Sequence, residues 1–299
     1  TVAEGVVHSL HAYFLRPGDM SHPIIYEVDP VRDGRSFTTR RVQAVQHGQV
    51  ILTLIASFQR PEAGAEHQSV MPVVPPPEAL PSDRDIRLKL LDQLSDPSPR
   101  LRQFLSQDTL FDMRYVEPQT LFDHAPKPPH SAFWLRTVDR LPDDPTVHRC
   151  VLAYASDFGP LATSLLPHGK GPLNPSMRMA SIDHAIWFHR DARVDDWLLY
   201  TIDSPSSQSG RGFSFGHIYT RDGRLVASTA QDADGPKPRI TGMGSPRIAR
   251  ACSANSLSSC ETSVTSPVSC GRGETSLNQT SPCCSSSCAG SIRKSAARS

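Results

Sequence analysis

The chain reads as an α+β protein made of two copies of one antiparallel sheet unit. Three observations predict this. The first is internal repetition. VHSLHAYFLR (7–16) lines up with SIDHAIWFHR (181–190), IIYEVD (24–29) with LLYTID (198–203), and the run closing at Gln59 with the run closing at Gln231. The second is a set of short β-branched and aromatic runs separated by Arg-Asp-Gly and His-Gly turn signals. The third is a change to helical spacing in DFGPLATSLL (157–166), where Leu161, Ala162, Leu165 and Leu166 share one face. Pro167 and Gly169 stop that run.

In order, VVHSLHAYFLR, IIYEVDPVRDG, SFTTRRVQAVQHG and QVILTLIASFQ predict a four-stranded antiparallel meander over residues 1–60. Proline-rich sequence opens a linker at 61–110, in which Ser82 caps a helix running to Leu94 and PRLRQFLSQDTLF is less regular. From 111 to 235, FDMRYVE, SAFWLRTVD and HRCVLAYA read as strands. Asp157 then opens the helix, and four further strands run from Ser181 to Gln231. The second copy thus has strands and a helix upstream of its repeat, which the first copy lacks. Residues such as Ile25, Phe37, Val45, Leu52 and Ile55 are expected on an apolar face without a covering helix. Residues 236–299 are rich in Ser, Gly and Pro and are expected to be disordered, as either a low-complexity tail or the product of a frame or splice error. The chain begins at Thr1 and enters a strand almost at once, which suggests a fragment or a misplaced gene start.

Composition removes several classes. Lys+Arg 31 against Asp+Glu 30 predicts no cationic surface for nucleic acid or anionic membrane. No apolar run reaches the roughly 18–20 residues of a membrane span, and no signal peptide is visible. Cys150 reads as a buried structural thiol in a strand. The six cysteines between 252 and 288 match no tight zinc spacing and lack the secretory context of a disulfide framework.

The two-copy pattern, MPVVPPPE (71–78), VLAYASD (151–157) and above all SIDHAIWFHR resemble the acyl-coenzyme A thioesterase II family over roughly residues 5–231. The family includes the bacterial thioesterase II and the peroxisomal enzyme of eukaryotes. The resemblance implies a double hotdog, two antiparallel sheets each wrapping a central helix, with the first helix missing here. It implies hydrolysis of fatty acyl-CoA to free fatty acid and coenzyme A by an activated water. No metal or organic cofactor is implied, and a homo-oligomer is compatible with it.

Carried over by motif, the catalytic residues are Asp157, Ser181 and Gln231. A carboxylate at a helix entrance can accept the water's proton, while a hydroxyl and a carboxamide orient that water. Backbone N–H groups at the helix start would face the oxyanion. Singly, each residue has a plainer reading: Asp157 as a helix cap, Ser181 as a strand-edge residue, Gln231 as a solvated strand end. Strand alternation sets Ser181 and Asp183 on one face and His184 on the other, which argues against a serine triad. Trp187, Phe188 and His189 read as packing residues, Arg211 as an exposed strand arginine before a phosphate contact, and GRGFSFG (210–216) as strand. Two other readings stand beside hydrolysis: a hotdog acyl-CoA dehydratase and an inactive acyl-CoA-binding copy. Where the family continues with Glu-Gly after its glutamine, this chain has Asp232-Ala233-Asp234-Gly235. It ends Ala-Arg-Ser, without a peroxisomal tripeptide; peroxisomal location is therefore implied by the family alone, with the cytoplasm as the other option.

Overall fold

A computed structural model describes residues 5–117, 125–169 and 180–234. The expected tail at 236–299 and its six cysteines lie outside them. Strands β1 (Val6–Phe14), β2 (Ile25–Asp33), β3 (Phe37–Gln46) and β4 (Gln49–Gln59) form the first copy. β5 (Phe111–Tyr115) and β6 (His130–Thr137) precede the second copy. That copy comprises β7 (Ala180–Ser181), β8 (Asp183–Phe188), β9 (Leu198–Gln208), β10 (Arg211–Thr220) and β11 (Leu225–Asp234).

These strands join in one 11-stranded sheet ordered β2-β3-β4-β1-β8-β11-β10-β9-β6-β5, with β7 beside β11. The two sheets expected from the sequence are therefore continuous, edge to edge through β1 and β8. His11 stands opposite Ala185, and the two hold the same place in the repeat, so a pseudo-two-fold axis passes between them. The first copy is not a simple meander, because β1 pairs with β4 and not with β2. At the β3–β4 turn, His47 and Gly48 take φ of 52° and 70°, the signature of the tight hairpin whose twist matches its strands.

Burial breaks the symmetry. In β9 the segment Leu198–Ile202 is fully buried, whereas β2, its equivalent, is exposed at all nine positions. Ile25, Phe37 and Ile55 are among the exposed apolar residues, as expected, while Val45 and Leu52 are half-buried. The second copy is covered by two helices, one of them not expected. HRCVLAYA is not a strand but most of α3, which follows the linker helices α1 (Asp83–Gln93) and α2 (Pro99–Ser106) and spans Pro145–Ala155. Ser82 caps α1 as expected, and α2 occupies the segment read as less regular. Asp144 caps α3 by accepting from Thr146 N, Pro145 takes the first turn, and His148, Leu152 and Ala155 are buried at helical spacing. This start signal outweighs the β-branched content of the segment. Cys150 is consequently on a helix, and exposed.

The expected helix at 157–166 begins later, as α4 (Pro160–Leu165), and tightens into a 3₁₀ turn at Leu166–His168. Between α3 and α4 the chain kinks at Gly159, which has φ 103°. A Cβ there would sit 2.6 Å from Ile202 Cδ1 and 2.9 Å from Phe133 Cε1. α4 also presses onto β10, where Gly212 leaves room for Ser164. Phe133, Leu152, Ala155, Tyr200, Ile202 and Ile218 make the core beneath the kink.

Gly159→Ala should therefore destabilise the fold. Backbone strain of about 1–3 kcal/mol adds to about 1–3 kcal/mol of overpacking. Gly64→Ala, with nothing within 4 Å of the new Cβ, should shift stability by no more than about 0.5 kcal/mol. Urea denaturation of both variants checks this; equal midpoints would contradict the kink's tight packing.

Candidate active site

The kink brings Ser156 and Asp157 onto the face of the sheet where β11 alternates Thr229, Gln231 and Ala233 inward. Ser181 and His184 reach the same place from β7 and β8. In a regular strand, residues three apart face opposite ways. Here Ser181 pairs with Ala233 and Ala185 with Ala230, so β7–β8 carries one residue more than β11 over the same span. This bulge turns Ser181 and His184 to one side, and the sequence-based placement of His184 on the other face is wrong for that reason. The first copy has a register shift at the equivalent position, between Val7 and Ser9.

A continuous chain of side-chain contacts results. His184 Nε2 lies 2.8 Å from Ser156 Oγ, and His184 Nδ1 lies 2.8 Å from Gln231 Oε1. Gln231 Nε2 donates to Ser181 Oγ at 2.6 Å, and Ser181 Oγ donates to Asp157 Oδ1 at 3.5 Å. The Gln231 amide is thus oriented by both neighbours, its oxygen facing the imidazole. From His184 onward the donors point towards Asp157, an arrangement that favours an ionised carboxylate at its end. Tyr200 anchors the kink from below by donating to Ser156 O at 2.9 Å, with its hydroxyl 2.8 Å from Thr229 Oγ1. Burial pushes the Tyr200 phenol up, so it stays neutral.

Asp157 and the half-buried Ser181 are the members that solvent reaches, Asp157 with 28 % of its side chain exposed against 5 % for His184. Gln231 is 2 % exposed. Burial pushes the Asp157 carboxyl above the usual aspartate range, while the charge of His184, 4.0 Å away, and hydrogen bonds from Gln231 and Ser181 pull it partly back. A raised carboxyl that can still ionise is suited to taking a proton near neutral pH. The three sequence-predicted residues are therefore brought together, and His184 with Ser156 joins them. The D-H pair at 183–184 was visible in the sequence, but its face depended on the bulge.

The local setting corrects two expectations. Asp157 caps no helix, since α3 ends at Ala155 with Ser156 as its C-cap and the N-cap of α4 is Gly159. The amides of Asp157 and Phe158 bond back to Tyr154 and Ala155, and Pro160 has none, so these three offer no oxyanion donor. Nearby, Phe188 packs on the core, Trp187 is 44 % exposed, and His189 meets Ser228 Oγ. Arg211 pairs with Asp232 at 2.6 Å, and residues 211–216 lie in β10. A separate cleft of about 710 Å³ at the opposite end of β9–β11 is lined by Arg193, Trp197, Thr220, Arg221 and Arg224.

The chain as a whole is similar in sequence to known proteins. The profile of the acyl-CoA thioesterase family matches residues 107–233, and that of the acyl-CoA thioesterase N-terminal domain matches residues 1–59. Acyl-CoA thioesterase 2 of Haemophilus influenzae is 40 % identical over 227 residues, covering 76 % of this chain and 78 % of that protein. The chain belongs to the acyl-CoA thioesterase family. The crystal structure of acyl-CoA thioesterase II TesB2 from Mycobacterium marinum superposes with a TM-score of 0.65 at 40 % identity, covering 80 % of this chain and 84 % of that one. The double hotdog fold is thereby shared. A more distant relative, 25 % identical over 271 residues (75 % of this chain, 77 % of that protein), is the peroxisomal acyl-coenzyme A thioester hydrolase 1 of Saccharomyces cerevisiae.

Within this thioesterase the first copy has no equivalent cluster. The sequence repeat sets Gln59 against Gln231, but strand register places Ala56 there, opposite Leu10, and Val7 and Leu10 stand where Ser181 and His184 stand in the second copy. Gln59 instead donates to Glu62.

A carboxyl whose folded-state pKa is raised contributes stability below its unfolded value and loses it as pH rises through the folded value. Asp157→Asn, which carries no charge, should therefore be more stable than the wild type at neutral pH. The gap should close as pH falls towards the ordinary aspartate value of 3.8. Denaturant midpoints across pH test this; a variant less stable at pH 7 would contradict it.

Proposed function

We propose that the Asp157 cluster is the centre at which this thioesterase splits acyl-CoA thioesters, and that fatty acyl-CoA is its substrate. The observation that carries the proposal is the convergence of Asp157, Ser181 and Gln231 from three separate elements into one hydrogen-bonded group. A water held by the Asp157 carboxylate and the Ser181 hydroxyl gives its proton to Asp157. Its oxygen attacks the thioester carbonyl carbon. The tetrahedral intermediate collapses with cleavage of the C–S bond, and the proton held on Asp157 passes to the departing coenzyme A sulfur. Fatty acid and the free thiol are the products, and the carboxylate is regenerated. The first amides of α4, at Gly159, Leu161 and Ala162, precede its first intrahelical bond (Thr163 N to Gly159 O) and would serve the developing oxyanion. In this scheme the protein's own groups and water carry the reaction, with coenzyme A entering only as part of the substrate.

His184 acts as a positioning residue in this scheme. It fixes the rotation of Gln231, which in turn fixes Ser181. A role in fatty-acid metabolism within peroxisomes is supported by the family resemblance and by the name of the yeast relative. Among the described residues, no helix is long and apolar enough to cross a membrane.

Release of thiol from palmitoyl-CoA tests the roles. Asp157→Asn should lower turnover by about 10²–10⁴-fold, the usual contribution of proton transfer. Ser181→Ala should retain more activity than Asp157→Asn, because it removes only an orienting hydrogen bond. A covalent serine route would reverse that ranking and leave an acyl group on Ser181, visible as a mass increase of the intact protein. Such an adduct would overturn the water-attack scheme.

A further inference from the structure

The first copy carries a different group of chemistry-bearing side chains. Asp19 and His22 lie in the loop between β1 and β2, and His47 lies at the β3–β4 turn. Asp19 Oδ2 is 2.8 Å from His22 Nδ1 and 3.5 Å from His47 Nε2, and the three donor atoms all fall within 4.8 Å of one another. We propose that Asp19, His22 and His47 bind a transition-metal dication of the zinc class, which clips the β1–β2 loop to the β3–β4 turn.

The spacing fits the chemistry. Metal–nitrogen and metal–oxygen bonds near 2.0–2.2 Å set tetrahedral ligand atoms about 3.4 Å apart, within a small side-chain rotation of the separations found. Two imidazole nitrogens and one carboxylate oxygen form a donor set suited to zinc and its neighbours, and poorly suited to calcium or magnesium. All three side chains are exposed, which leaves a fourth position for water.

The cluster is also built, not a chance meeting of long surface side chains. Gln46, 5 % exposed, locks the loop to the turn: its Oε1 accepts from Asp19 N at 2.7 Å. Its Nε2 donates to Asp19 O at 2.7 Å and to His22 O at 2.8 Å. Ser21 donates through its N–H and its hydroxyl to Asp19 Oδ1 at 2.9 and 2.6 Å, which fixes the carboxylate and leaves Oδ2 turned to the imidazoles. His47 takes φ 52°, a left-handed backbone uncommon for a residue with a Cβ, and its ring stacks edge-on to His22 with centroids 4.5 Å apart. The clip acts where the fold has least cover, at the loop leading into the fully exposed β2.

The test uses the full chain with its seven cysteines alkylated, so that thiols cannot compete. Cobalt(II) should bind one equivalent with the visible absorption of a tetrahedral-type site, and zinc(II) should displace it. His22→Gln and His47→Gln should each weaken binding at least about 100-fold, since losing an outer-shell partner alone can cost 10–100-fold. Zinc should slow hydrogen exchange in residues 15–24 of the wild type only, and thioester hydrolysis by both variants should stay unchanged. Failure of the wild type to take up metal, or equal uptake by wild type and both variants, would overturn the proposal. Neither result would touch the assignment of Asp157.

Discussion

The site depends on one constraint: a side-chain chain that ties the kink between two helices to two strands. Ser156 and Asp157 belong to the kink, His184 and Ser181 to the strand after it, and Gln231 to the last strand. None of these groups is positioned alone. Gln231 is a buried carboxamide with both ends engaged, and a buried polar group left unpaired costs about 1–3 kcal/mol. The cluster is accordingly fixed by the fold around it, and only Asp157 and the half-buried Ser181 open towards solvent. This is the division a hydrolytic centre needs, with rigid orienting groups behind a single accessible base.

The pseudo-symmetric sheet explains why one chain has one such cluster. Both copies carry the strand irregularity that would turn two residues to one side, but strand register puts Ala56 where the second copy has Gln231. The first copy places Val7 and Leu10 where the second has Ser181 and His184, so no polar chain can form there. Its loop and turn instead bring together Asp19, His22 and His47. The same topology thus supports hydrogen-bonded chemistry on the second copy and a set of metal-type donors on the first.

Much of this was legible in the sequence, and the failures have identifiable causes. The repeat gave the strands and their correspondence, because matched turns and alternation survive in both copies. The motif around DHAIWFH led to Asp157, Ser181 and Gln231, which do meet. HRCVLAYA was misjudged because its β-branched and aromatic content was weighed without the Asp144-Pro145 start just upstream. His148, Leu152 and Ala155 already had helical spacing. His184 was set aside because alternation was assumed unbroken from Ser181, and a one-residue bulge is fixed by pairing with β11, not by local preference. The joining of β1 to β8 is a long-range contact between two strand edges, which no local pattern announces.

The most direct test of the central claim is a crystal structure of the Asp157→Asn chain with an intact long-chain acyl-CoA. The account predicts the thioester carbonyl beside residue 157, Ser181 and Gln231, within the reach of one bridging water. A thioester seated in the cleft by Trp197 and Arg221, at the opposite end of β9–β11, would contradict it.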